Sequence, residues 1–108
     1  MTTPRLTKPT IGVLEVLLAA DDADPAWGLR ICGEADLGSG TVYPILERLT
    51  DLGWIEAWPE TTPHPGRPAR RFYKLTSTGR HRASEALRER ASRRRTTFGL
   101  KGLAGGAA

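Results

Sequence analysis

Apolar residues recur with helical spacing in two segments of the first half of the chain. Between Lys8 and Ala20 they cover more than one stripe of a helix, which predicts a helix buried on more than one side. Between Gly38 and Gly53 they recur at i, i+3, i+4 and i+7, which predicts a helix with a single apolar face. Ser39 or Thr41 is placed to cap this helix, and Gly53 is placed to end it in the left-handed region.

A shorter helix is predicted between these two. Asp24 is a suitable N-cap, Pro25 suits the first helical position, and the segment extends to about Ala35. The three predicted helices therefore follow each other closely, with a tight glycine turn before the third.

The pattern then changes to two runs that favour β-strands, residues 54–58 and 71–75. The connection between them is rich in proline and predicts a protruding hairpin loop whose tip carries His64, Arg67 and Arg70. We expect Phe72 to pack in the core and against the hairpin. Trp54 and Trp58 have the same parity and are expected to share a face, in the core rather than in a ligand cleft.

A last helix begins after Thr76, which can cap it, and is expected to run to about Arg95. Its narrow apolar stripe consists of Ala83, Leu87 and Ala91. The chain is thus predicted to have an N-terminal arm (1–9), a main domain (10–75), a C-terminal helical segment (76–97) and a flexible glycine-rich tail (98–108).

The composition limits the size and setting of the protein. With 108 residues, of which 39% are hydrophobic, the chain suits one small domain with a thin core, which excludes a multidomain enzyme and favours completion of the core by a second subunit. Cys32 is the single cysteine and is expected to be a buried, inert thiol. No apolar stretch is long enough for a membrane span, and nothing resembles a signal peptide, so we expect a cytoplasmic protein.

Charge is segregated along the chain. Residues 1–60 carry four basic and ten acidic side chains, whereas residues 61–108 carry twelve basic and two acidic ones. A strongly basic half is typical of a protein that places one surface against a polyanion, nucleic acid above all. The run from Arg93 to Arg95 is expected at a helix end, where positive charge is favourable without any ligand.

The sequence offers no pattern typical of catalysis or metal binding. His64, His81 and Cys32 have no recognisable ligand spacing, no nucleophile has a neighbouring histidine and carboxylate, and no glycine-rich phosphate loop follows a strand. We therefore expect no enzyme activity, no metal and no cofactor.

The order of elements, three helices followed by a hairpin, is that of a winged helix-turn-helix, a mainly α fold with a small β-hairpin. Three stretches resemble the PadR-like transcriptional regulators: Gly40 to Leu49 with its Tyr43-Pro44 pair, Leu52 to Ile55, and Gly66 to Arg80 with its Gly-Arg-Pro and aromatic pair. The resemblance covers roughly residues 10–90.

The resemblance implies a homodimeric bacterial repressor whose C-terminal helix packs against the N-terminal region of its partner. The positions expected to serve dimerisation are Ile11, Leu14, Leu18, Ala83, Leu87 and Ala91. Some members of the family respond to aromatic compounds, which leaves a small aromatic effector open for this chain.

Candidate DNA contacts come from two elements. The third helix offers Ser39, Thr41, Tyr43 and Arg48, and the proline-stiffened loop offers Arg67 and Arg70. For Ser39 and Thr41 simple helix capping is an equal alternative. For the two arginines the alternative is a solvated loop.

The leading hypothesis is a dimeric, sequence-specific repressor that binds double-stranded DNA at a near-palindromic operator. The rival hypothesis is a winged-helix module whose basic half binds an acidic protein or RNA without reading a DNA sequence. The third helix favours the rival, because it carries Arg48 against Glu47 and Asp51 and is not basic overall.

Overall fold

In the computed structural model the described residues are 6–61 and 65–104, with side chains described as far as residue 92. Four helices surround one side of a three-stranded antiparallel sheet. In chain order the elements are α1 (Lys8–Ala19), β1 (Ala26–Trp27), α2 (Gly28–Ala35), α3 (Ser39–Asp51), β2 (Ile55–Pro59), β3 (Arg71–Leu75) and α4 (Ser77–Ala104). The strand order in the sheet is β1-β3-β2.

Helix α1 lies at the centre of the helical layer. Thr7 caps it by accepting a hydrogen bond from the Thr10 amide at 3.3 Å. The helix contacts α2, α3, α4 and β3, and Val13, Leu14 and Leu17 are almost completely buried. The prediction of a helix buried on more than one side is confirmed.

The predicted start of the second helix is wrong. The Asp24 amide donates to the backbone carbonyl of Asp21 at 3.1 Å in a turn, and residues 26–27 form the short strand β1, which pairs with β3. Helix α2 begins only at Gly28, with Trp27 as its N-cap. Pairing with β3 satisfies backbone groups of this segment in a way that the local sequence does not reveal.

Helix α3 has the predicted apolar face, since Val42, Ile45, Leu46 and Leu49 are buried. Gly53 ends it with φ +77°, as predicted, and the Trp54 amide donates to the Leu49 carbonyl at 3.0 Å. The predicted caps are wrong. The N-cap is Gly38, so Ser39 is already the first helical residue and neither hydroxyl caps the helix.

The register of the hairpin decides which aromatic side chains are buried. Trp58 pairs with Phe72 and Ala57 with Tyr73, so Tyr73 faces the helices and is buried, while Phe72 and Trp58 lie on the outer face. Phe72 therefore does not pack in the core, but it does pack across the hairpin, with its ring centroid 5.8 Å from that of Trp58. Trp54 precedes β2 and is buried in the core, so it does not share a face with Trp58.

Helix α4 is joined to the hairpin by Thr76. As predicted, its hydroxyl caps the helix, accepting from the Gly79 amide at 2.9 Å, and it also donates to the Gly53 carbonyl at 2.8 Å. The helix continues past its predicted end to Ala104, because each further residue adds one backbone hydrogen bond to an existing helix. It lengthens the molecule, whose principal extents are 62 × 31 × 26 Å.

Two residues expected at a dimer interface lie inside the single chain. Leu14 and Ala83 are completely buried in its core, because α1 packs against α4 of the same chain. The remaining four candidates, two on α1 and two on α4, keep exposed surface; they are Ile11, Leu18, Leu87 and Ala91. Cys32 is partly rather than fully buried. No helix in the described part of the chain is long and apolar enough to cross a membrane.

Candidate nucleic-acid interface

The outward face of α3 is polar and exposed. Ser39, Thr41 and Arg48 are exposed on this helix, in contrast to the buried residues of its apolar face. Among the described residues, the hydroxyls of Ser39 and Thr41 have no hydrogen-bond partner, and both lie in the first turn of the helix. The N-terminus of a helix carries partial positive charge, which favours an anion such as phosphate.

Tyr43 connects α3 to the start of α2. Its side chain is 38% exposed, and its ring lies directly against Gly28, where a Cβ atom would overlap the phenol. The absence of a side chain at Gly28 therefore allows the Tyr43 ring to lie against α2 while part of it still faces solvent. Tyr43 is fixed by packing and exposed at the same time, as a contact residue must be.

The two loop arginines have different environments. Arg67 donates to both carboxylate oxygens of Glu60, at 3.0 Å each. The Glu60 side chain is only 11% exposed; it also accepts from the Arg70 amide at 3.2 Å, and its own amide donates to the Arg70 carbonyl at 2.7 Å. The positive charge of Arg67 is thus compensated within the chain.

The Arg70 guanidinium instead stacks on an aromatic ring. It lies 4.0 Å from the ring centroid of Trp27, a cation–π distance. Trp27 belongs to an aromatic cluster on the outer face of the sheet, with Phe72 at 6.4 Å from Trp27 and Trp58 at 5.8 Å from Phe72. The prediction that Arg70 lies at the hairpin tip is wrong, because Arg70 immediately precedes β3. His64, also predicted at the tip, lies outside the described residues.

Arg71 is a candidate that the sequence interpretation missed. It is exposed and has the same parity in β3 as Tyr73, so both side chains lie on the side of α3. Burial raises the pKa of the Tyr73 phenol, and the neighbouring Arg71 opposes this rise. Side chains two positions apart in a strand lie on the same face of the sheet, so a prediction that Tyr73 is buried against the helices would also have placed Arg71 on that side.

Four of these residues, Tyr43, Arg67, Arg70 and Arg71, line one concave surface. A cavity of about 390 Å³ lies between the start of α2, α3 and the segment before β3. Its walls include Tyr43, Arg70 and Arg71, together with Leu29, which is 68% exposed. Leu29 is a second residue that the sequence interpretation missed, because its exposure depends on where α2 begins.

Ion pairing separates the basic side chains into two groups. Arg30 pairs with Glu34 at 2.6 Å and with Asp24 at 3.0 Å, and the hydrogen bond to Glu34 raises the Arg30 pKa. Lys74 lies 3.5 Å from Glu56 and 3.8 Å from Asp22. Within the described residues, three arginines near α3 have no carboxylate at ion-pair distance: Arg48, Arg70 and Arg71. The side of the molecule near α3 therefore presents positive charge that is not compensated by an ion pair among the described residues.

In the described part of the chain, no group of three or more His, Cys, Asp or Glu side chains is placed to hold a metal ion. The chemistry available on this surface is hydrogen bonding and charge.

Solved structures share the fold. A PadR family transcription regulator from Clostridium difficile is 19% identical and superposes with a TM-score of 0.72 over 89% of this chain and 100% of its own. A protein from Streptococcus mutans is 24% identical, with a TM-score of 0.67 over 100% and 97%. Bacillus subtilis PadR, solved in complex with operator DNA, is 21% identical, with a TM-score of 0.58 over 72% of this chain and 45% of its own.

Sequence comparison gives the family. No curated protein matches the chain. The family model described as "Transcriptional regulator PadR-like family" matches residues 27–85, more than half of the chain. This range holds the second residue of β1, all of α2 and α3, the hairpin and the first turns of α4, and it includes every residue of the surface described above. The chain therefore belongs to the PadR-like family of transcriptional regulators.

Proposed function

We propose that this chain is a sequence-specific regulator that binds double-stranded DNA and represses transcription as a homodimer on a near-palindromic operator. One observation carries the proposal: Tyr43 of α3 and two arginines, Arg70 and Arg71, which have no carboxylate at ion-pair distance among the described residues, line one concave surface. The complex of Bacillus subtilis PadR with operator DNA supports it, since that protein shares this fold.

In this proposal α3 enters the major groove of the DNA. Ser39 and Thr41 bind phosphate at the helix N-terminus, while Tyr43 and Arg48 contact base edges or the backbone. The helix itself is not basic, so most of the electrostatic attraction comes from the arginines beside the hairpin. We call the described parts of the connection between β2 and β3, residues 59–61 and 65–71, the wing.

The proposed dimer uses apolar surface that the single chain leaves exposed, Ile11 and Leu18 on α1 and Leu87 and Ala91 on α4. Two copies of α3 related by a two-fold axis would occupy successive major grooves about 34 Å apart. Bound at an operator, such a dimer would block access to the promoter.

The test is selection of bound duplexes from a random pool at physiological salt, followed by sequencing. We expect a two-fold symmetric motif that is preferred over random DNA by at least ~10³. Arg48→Ala is expected to reduce this preference. Arg88→Ala removes the same charge from an exposed position on α4 and serves as the matched control, with the preference unchanged.

Salt-sensitive retention of DNA without any motif would contradict the proposal. It would instead support the rival function, a module that binds an acidic protein or RNA through its basic half. The observation favouring that rival is the charge of α3, in which Glu47 and Asp51 outnumber Arg48.

A further inference from the structure

We propose that Glu60 is a positioning residue of the wing, which keeps Arg67 away from DNA and holds Arg70 in place as the wing's phosphate-binding side chain. This inference rests on the proposed DNA-binding function. Arg67 and Arg70 lie three positions apart on the same loop, and the sequence analysis predicted the same role for both. The inference assigns them different roles.

The Glu60 carboxylate is the centre of the wing. It binds both terminal nitrogens of Arg67 at 3.0 Å and the backbone amide of Arg70 at 3.2 Å. The backbone amide of Glu60 donates in turn to the Arg70 carbonyl at 2.7 Å. Four hydrogen bonds thus join the end of β2 to the segment that leads into β3, and they set the position of the Arg70 backbone.

A phosphate group would compete poorly for Arg67. The Arg67 guanidinium already makes a bidentate pair with a carboxylate that is only 11% exposed. If Arg67 turned to a phosphate, the bidentate pair with Glu60 would be lost, and the charge of a largely buried carboxylate would be less compensated near the negative DNA backbone. Arg67 is therefore a structural partner of Glu60.

Arg70 is available for the opposite reason. Its guanidinium stacks over Trp27 at 4.0 Å from the ring centroid, so one face is covered while the N–H groups at its edge remain directed outward in the plane. Within the described residues no carboxylate lies at ion-pair distance from it. Stacking and the Glu60 bond to its amide limit its motion, so little conformational entropy is lost when it binds a phosphate.

The experiment compares Arg67→Ala with Arg70→Ala on the selected duplex over a range of salt concentrations. Both variants remove one positive charge from the same loop. Arg70→Ala should lower the slope of log K against log salt by about 0.9 per subunit, the value for one lost phosphate contact. Arg67→Ala should weaken binding at every salt concentration and leave the slope unchanged, because it loosens the wing without removing a contact.

Hydrogen exchange on the free protein tests the positioning role by itself. Glu60→Ala, which removes the acceptor, and Arg67→Ala should both speed exchange of the Arg70 amide, which donates to Glu60, while the amides within β3 keep their protection. Unchanged β3 amides show that the variants are folded. Unchanged exchange at Arg70 would overturn the role of Glu60.

Equal slopes for Arg67→Ala and Arg70→Ala would also overturn the inference, because Arg67 would then contact phosphate as Arg70 does. If the wild-type protein prefers no duplex over random DNA, it is the proposed function that fails. In that case the DNA role of Arg70 falls as well, and the exchange measurement still decides whether Glu60 orders the wing.

Discussion

Gly79 lies where the first turn of α4 meets the backbone before β2. A Cβ atom at this position would overlap the carbonyl group of Trp54. That carbonyl cannot easily move, because it accepts a hydrogen bond from the Thr76 amide at 2.9 Å. The absence of a side chain at residue 79 therefore sets how closely α4 approaches the hairpin.

We predict that Gly79→Ala destabilises the protein by about 1–3 kcal/mol or more, because backbone must shift to accommodate the methyl group. The measurement is the free energy of unfolding from chemical denaturation. Gly33→Ala is the matched control, since Gly33 is exposed in α2 with no atom within 4 Å of a Cβ there. It should change stability by up to about 1 kcal/mol in the stabilising direction. Equal losses for both variants would contradict the explanation.

At the scale of elements, sequence patterns predict correctly those features that depend on a single helix or turn. The apolar stripe of α3, the end of this helix at Gly53 and the cap at Thr76 are confirmed. Each of these predictions depends only on residues that are close to one another in the sequence. Strand β1 was missed because its two residues are ordered by pairing with β3, more than forty positions later in the chain. The predicted start of α2 was wrong for the same reason.

Thr76 is the junction between the hairpin and α4, and its replacement tests this element. We predict that Thr76→Ala costs about 1 kcal/mol of stability, because the Gly79 amide and the Gly53 carbonyl both lose their partner. Thr76→Ser keeps the hydroxyl and should recover most of the loss. Thermal unfolding followed by circular dichroism measures both. A serine variant as unstable as the alanine variant would show that the methyl group, not the hydroxyl, matters.

At the scale of the whole molecule, α4 carries the chain to a length of 62 Å, about twice its other dimensions. Its first turns pack against α1 and the sheet. Apolar surface remains exposed at Leu87 and Ala91, and on α1 at Ile11 and Leu18. A thin core with exposed apolar surface on two helices is the reason to propose a homodimer.

The dimer proposal predicts that Leu87→Asp shifts the protein from dimer to monomer, because it places a charge on the apolar surface of α4. Sedimentation velocity measures the shift, and circular dichroism checks that the variant is folded. Arg88→Gln, which changes charge at the neighbouring exposed position, is the control and should remain dimeric. A wild-type protein that sediments as a monomer at all concentrations would contradict the proposal.

The sequence by itself determined the helical and strand periods, the hairpin, the separation of charge and the family resemblance, because each depends on residues that are near one another or on composition. Tertiary structure alone decided that Leu14 and Ala83 are buried within the chain and that Phe72 faces outward. It also decided which arginines keep an uncompensated charge, since Arg67 is paired and Arg70 is stacked. Burial and ion pairing depend on distances between residues that are far apart in sequence, and those distances exist only in the folded chain.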